Sequence, residues 1–223
     1  MKITDVRAYV VNPSLPLIGS ATANPEHREW TFVEIDTDEG IAGWGECTNY
    51  PGGGSFLTAR AVLACKEALE GEDPADIERL WHKLYRRYSY LGARGLPTSA
   101  ISGIDIALWD IKGKALGRPV YDLLGGKFRT DVRLYANGWF TGCSTPQDYA
   151  RAAKNVMLKA GHTACKLDPF LEMRPFHTRY VDGQISAEGE QLGYDIVAAV
   201  REAVGPHHEI LIDAHGHYNV GTA

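Results

Sequence analysis

The residues best suited to chemistry stand near the end of the 223-residue chain, in Glu209-Ile-Leu-Ile-Asp-Ala-His-Gly-His-Tyr218. A short apolar run leads into Asp213, and His215 follows two residues later. In an extended strand, side chains two apart leave the same face. A carboxylate and an imidazole then project together from one strand end, a pairing suited to a metal ligand beside a proton donor. On the strand alone other readings stay open: Asp213 also fits a turn cap and His215 a solvated loop. His207, His208 and His217 read as solvated.

The elements that must hold this strand end follow a regular grammar. Thr145-Pro146 marks a helix start, with Tyr149, Ala152, Ala153 and Val156 facing inward. Leu192, Ile196, Ala199, Val200 and Ala203 form the apolar face of a second helix ending at Gly205-Pro206. Strands are expected at 132–136, 164–168 and 210–212. This β-α-β-α-β order predicts parallel strands with right-handed crossovers. A long polar insertion separates the second strand from the second helix. Its Arg174, His177 and Arg179 fit a solvated loop better than an anion contact.

Before Gly125-Gly126 the pattern differs. Residues 2–11 read as a strand and 30–47 as a hairpin turning at Asp38-Glu39-Gly40. Three helices are expected next: about 56–70, a second opening at the Asp73-Pro74 cap, and about 97–116 with Ile101, Ile104, Leu108, Ile111 and Ala115 at helical spacing. A strand, a hairpin and consecutive helices predict an α+β domain. The boundaries drawn are 1–126 for this domain and 127–223 for the β/α units. Asp105 and Asp110, beside the apolar stripe, read as structural. The glycines of Pro51-Gly-Gly-Gly-Ser55 suggest a mobile flap and lack the Lys and Ser/Thr of a phosphate-binding loop.

Composition narrows the function classes. A net charge of −5 argues against nucleic acid, which needs a basic surface. No apolar run approaches the roughly 20 residues of a membrane span, and the N-terminus lacks the apolar core of a signal peptide. Cys47, Cys65, Cys143 and Cys165 show no C-x-x-C pairing, so buried free thiols in a cytoplasmic protein are expected.

The stretch Ser99-Ala-Ile-Ser-Gly-Ile-Asp-Ile-Ala-Leu-Trp-Asp-Ile-Lys-Gly-Lys-Ala-Leu-Gly-Arg-Pro-Val-Tyr-Asp-Leu-Leu-Gly-Gly126 resembles the signature helix of the mandelate racemase/muconate-lactonizing group of the enolase superfamily. The resemblance implies an α+β capping domain whose loops, here about 13–28 and 47–56, close over the mouth of a (β/α) barrel. Catalytic groups then belong at the C-terminal ends of barrel strands. It also implies removal of a proton next to a carboxylate, with Mg²⁺ holding the enediolate. Asp213 matches the first of the family's three carboxylate metal ligands. The other two have no counterpart in this chain.

Within that resemblance the second strand carries Lys166-Leu167-Asp168, where racemase-like members carry a Lys-x-Lys pair whose second lysine is the base. Lys166 is expected to neutralise the substrate carboxylate and Asp168 to accept hydrogen bonds from substrate hydroxyls; Asp168 also fits a turn before Pro169. His215 resembles the histidine of the sugar-acid dehydratases, which protonates the departing hydroxyl. A group titrating near neutrality suits that step. The reading is therefore a lyase, a Mg²⁺-dependent galactonate/gluconate-type dehydratase acting on a small anionic sugar acid, expected as a homo-oligomer. Racemisation and cycloisomerisation are disfavoured by Asp168 and His215.

Roughly a hundred residues follow Gly126, against about 250 for a complete (β/α)₈ barrel. Three β/α units, an incomplete barrel, are therefore expected. The alternative is a non-catalytic fragment that self-associates through its open sheet edge.

Overall fold

The computed structural model describes residues 1–12, 29–48, 53–170, 183–214, 216 and 218–223. The chain divides into two compact units, with the boundary between Thr130 and Asp131.

The first unit opens with an antiparallel meander: β1 (Ile3–Val11), β2 (Trp30–Thr37) and β3 (Ala42–Cys47), in that spatial order. Alternation along β2 buries Thr31, Val33, Ile35 and Thr37, so one sheet face is covered. Helices α1 (Gly54–Ala64), α2 (Lys66–Leu69), α3 (Ile77–Tyr88), α4 (Leu96–Leu116) and α5 (Val120–Leu123) follow. Helix α4 buries Ile101, Ile104, Leu108 and Ile111 in the core formed with Val33, Ile35, Val62, Leu80 and Leu84. It ends at Gly117 in the left-handed region, φ 62°, a common helix stop.

Close approach of α4 to β3 depends on missing side chains. A Cβ on Gly45 would lie 1.9 Å from the Gly103 carbonyl oxygen, and one on Gly103 would lie 2.4 Å from Cys47 Sγ. Polar clips secure the same contact. Asp110 accepts from the Trp44 backbone N–H at 2.8 Å, and Lys114 Nζ donates to the Ala42 carbonyl at 2.7 Å. The aspartate read as structural thus occupies an edge-strand donor that would otherwise invite another strand.

Two helix starts differ from expectation. The second helix begins at Ile77, not at Asp73, because the Asp73 carboxylate accepts from the Ala75 N–H at 2.9 Å and stabilises a separate turn. The first begins at Gly54, after Gly53 at φ 81°, and breaks at Cys65. The four cysteines are buried free thiols, as expected.

The second unit contains α6 (Pro146–Ala153), which continues as a π turn over Lys154–Leu158, then β4 (Ala164–Leu167), α7 (Ala187–Val204) and β5 (Glu209–Ile212). Thr145 and Asp148 form a reciprocal capping box at the start of α6. Strands β4 and β5 are parallel, with Lys166 opposite Leu211 and Leu167 opposite Ile212. Tyr149, Phe140, Met157, Leu167, Ile196 and Val200 form the core.

The expected strand at 132–136 is not found as a strand. A single parallel bridge, Ala136 to Cys165, is formed. Val132 and Leu134 are 69% and 72% exposed, so no apolar packing reinforces their β propensity. Arg133 reaches across instead, to Glu209 Oε1 at 2.5 Å and the Thr163 carbonyl at 3.1 Å. Among the described residues, two strands and a bridge stand where three β/α units are expected. Among the described residues no helix is long and apolar enough to cross a membrane.

Candidate functional site

Parallel pairing of β4 with β5 brings two of the expected site residues together. The ladder continues past β4 through the Asp213 N–H, which donates to the Leu167 carbonyl at 3.0 Å. That bond sets Asp213 beside the end of β4. Lys166 Nζ donates to Asp213 Oδ2 at 2.6 Å. Their side chains are 20% and 29% exposed, so water screens the pair only partly. The hydrogen bond to Asp213 holds the Lys166 ammonium above its ordinary range, against the opposing effect of burial. Lys166 is therefore cationic at neutral pH.

Asp168 lies two residues beyond Lys166, partly buried, just past the end of β4. Its negative charge is among the influences that raise Lys166. The strand end thus gathers two carboxylates around one ammonium. His215 lies outside the described residues, as do the expected loop 13–28, residues 49–52 of the second loop, and Arg174, His177 and Arg179. Of the second loop, Thr48 is anchored: its N–H donates to Ser99 Oγ at 2.8 Å.

The oxygen chemistry of the site bears on a divalent cation. Mg²⁺ prefers an octahedron of hard oxygen ligands. Among the described residues no group of three or more His, Cys, Asp or Glu side chains could hold a metal. Asp213 offers a carboxylate at a strand end, suited to be one ligand and insufficient as a site. Its Oδ2 already faces the Lys166 ammonium.

Two aromatic side chains at this strand end escaped the sequence reading. Trp139 Nε1 donates to the Lys166 carbonyl at 2.9 Å, and the Tyr149 hydroxyl donates to the Asp168 carbonyl at 3.2 Å. Its place beside Ala152, Ala153 and Val156 marks Tyr149 only as an inward-facing helix residue. A fully buried tyrosine hydroxyl needs a polar partner, and that was the available signal.

Residues 3–125 match the family model described as mandelate racemase/muconate lactonizing enzyme, N-terminal domain. The chain belongs to the mandelate racemase/muconate lactonizing enzyme family. D-galactarolactone cycloisomerase of Agrobacterium fabrum is 37% identical over 225 residues, which cover 100% of this chain and 54% of that protein. D-galactonate dehydratase of Variovorax paradoxus is 38% identical over 217 residues, 97% of this chain and 49% of that protein. A crystal structure of an enolase superfamily member from Salmonella Typhimurium superposes with a TM-score of 0.81 at 33% identity, covering 98% of this chain and 56% of that one. The chain spans about half the length of these mandelate racemase/muconate lactonizing enzyme relatives. The first unit is the α+β capping domain of this family.

Proposed function

We propose that the protein carrying this chain dehydrates a sugar acid, an aldonate or aldarate, and that its second unit is the first part of a (β/α) barrel. The observation that carries this reading is the Lys166–Asp213 pair at 2.6 Å, on adjoining C-terminal ends of parallel strands, with His215 two residues further on. Barrel enzymes place their catalytic groups at such strand ends.

Lys166 holds positive charge where the substrate carboxylate would lie and stabilises the charge that grows there as the neighbouring C–H bond breaks. Asp168, on the same strand end, accepts hydrogen bonds from substrate hydroxyls and selects polyols over apolar acids. His215 donates a proton to the hydroxyl leaving the next carbon, so that it departs as water. The proton from the carbon next to the carboxylate goes to a base outside the described residues. Asp213 would be one carboxylate ligand of a Mg²⁺, alongside others not found among the described residues. When bound, that ion supplies Lewis-acid stabilisation of the developing negative charge. The family resemblance and the dehydratase relative support this assignment.

The test incubates the full-length protein with Mg²⁺ and a panel of aldonates and aldarates, and measures the 2-keto-3-deoxy acid by its semicarbazone absorbance. At least one acid is expected to lose water, and His215→Asn is expected to lower that rate by about 10²-fold or more. Turnover of no panel member sinks the dehydratase assignment. A second reading, lactone isomerisation, is favoured by the Agrobacterium fabrum relative, which aligns over the whole chain. Conversion of an aldarolactone into an isomeric keto-deoxy acid without loss of water, with no turnover of the open-chain acids, would establish it.

A further inference from the structure

The backbone groups of β4 alternate between its two neighbours. The Ala164 carbonyl accepts from the Ala136 N–H at 2.9 Å, and the Lys166 N–H donates to the Ala136 carbonyl at 2.8 Å. On the opposite side, the Thr163 and Leu167 carbonyls accept from Glu209 and Asp213. Residues 164, 166 and 168 therefore turn their carbonyls toward the Ala136 side. Bridging there stops at Ala136, and the chain turns away through Asn137 and Gly138. Beyond it, the donors on that side are side chains: Trp139 Nε1 to the Lys166 carbonyl, then the Tyr149 hydroxyl to the Asp168 carbonyl.

These donors are themselves fixed. Trp139 meets the Tyr149 ring edge-on, with centroids 6.1 Å apart, and Phe140 stacks on Tyr149 at 6.0 Å. Tyr149 is fully buried on α6, whose start is held by the Thr145–Asp148 capping box. The two bonds grip the backbone at Lys166 and Asp168, the two residues of this strand end with proposed substrate roles.

We infer that Trp139 and Tyr149 are positioning residues, an aromatic continuation of the sheet ladder that sets the aim of Lys166 and Asp168. The positions of the bonds rest on the structure alone, and their catalytic consequence rests on the proposed function.

The experiment has two arms, both on the full-length protein. Amide hydrogen exchange by mass spectrometry needs no substrate. Tyr149→Phe, which removes only the hydroxyl, is expected to raise exchange of the Lys166 and Asp213 amides roughly three- to ten-fold while α7 keeps its protection. Replacing Trp139 with benzothienylalanine, which keeps the ring shape and removes the N–H, is expected to do the same. Unchanged exchange in both variants overturns the inference, whatever the reaction. The second arm measures kcat and KM for dehydration in a cycle of Tyr149→Phe with Asp168→Ala. Tyr149→Phe is expected to lower kcat/KM roughly three- to ten-fold in the native background and under two-fold once Asp168 is alanine. An equal loss in both backgrounds means a general structural role and overturns positioning. If no sugar acid is turned over, the proposed function fails and the exchange arm still decides the inference.

Discussion

Replacing Gly103 with alanine sets two opposing effects against each other. In an open helix the change stabilises by about 1 kcal/mol, because glycine is a poor helix former. Here the new Cβ would lie 2.4 Å from Cys47 Sγ and 3.0 Å from Val33 Cγ2. Both neighbours are buried, so relief requires α4 to lift from the sheet, at about 1–3 kcal/mol for overpacking. The expected net for Gly103→Ala is a loss of about 0–2 kcal/mol. Cys47→Ala alone is expected to lose about 1 kcal/mol by leaving a small void. Together, the methyl at 103 occupies the space the sulfur left, and the helix gain emerges. The double variant should then be close to wild type, a coupling of about 2 kcal/mol. Gly45→Ala provides the contrast: its Cβ would meet the Gly103 carbonyl oxygen at 1.9 Å and the Ala107 nitrogen at 2.9 Å. Backbone atoms cannot be trimmed, so a loss of about 3 kcal/mol or more is expected, with no rescue by Cys47→Ala. Urea unfolding followed by circular dichroism gives the free energies, and hydrogen exchange of residues 42–47 and 96–116 confirms that the loss arises in the first unit. Additivity of Gly103→Ala and Cys47→Ala within about 0.5 kcal/mol would refute the close-approach account.

Three further outcomes are expected. Thr145→Ala removes the capping box of α6 and should cost about 1 kcal/mol, with faster exchange over 146–153, while Thr145→Ser should keep most of the stability. The Glu72 carboxyl is held at about 2, below its ordinary 4.5, by hydrogen bonds from Arg79 and Lys83. Its contribution is therefore present above pH 4.5 and withdrawn as pH falls toward about 2. Urea midpoints should drop less steeply across that window in Glu72→Gln than in wild type, and the difference should shrink in salt because both cations are about half exposed; parallel curves would contradict the assignment. The Tyr88 hydroxyl donates to the Ala61 carbonyl at 2.8 Å, so Tyr88→Phe should cost about 1 kcal/mol at neutral pH. Burial raises the Tyr88 phenol above its ordinary 10.0, so its stabilisation is lost as pH climbs past 10.0, and Tyr88→Phe should remove that part of the alkaline decline in unfolding free energy.

Where the relevant forces are local, the sequence was sufficient. The 3.6-residue spacing of Ile101, Ile104, Leu108 and Ile111 set α4 to within a residue at its start, and Thr145-Pro146 located α6 through its own cap. The misreadings arose where a local signal had a second use. Asp73 looks like a helix cap and instead closes a turn, since an aspartate satisfies a nearby N–H equally well in either setting. Val132-Arg-Leu-Tyr-Ala136 has strand composition, but a strand also needs a neighbour and a covered face, and neither is encoded in its own five residues.

The site follows the same division. Period-two spacing tells which residues share a face, so Lys166 and Asp168 were legible as a pair within their strand. It does not tell which strand stands beside which. Lys166 and Asp213 meet because β4 and β5 are neighbours in a register that places Leu167 opposite Ile212, a fact carried by α7 and the core beneath it. A register one residue away would point Asp213 to the other face and dissolve the ion pair. The same reasoning explains why Trp139 and Tyr149 read as ordinary core residues. Their apolar bodies are core, and only their polar tips serve the strand end. Those tips acquire partners only after the bridge at Ala136 fails to continue. An interrupted ladder next to a candidate site is therefore where buried tyrosine hydroxyls and tryptophan N–H groups should be sought, because the carbonyls left over must be satisfied and peptide donors there have ended.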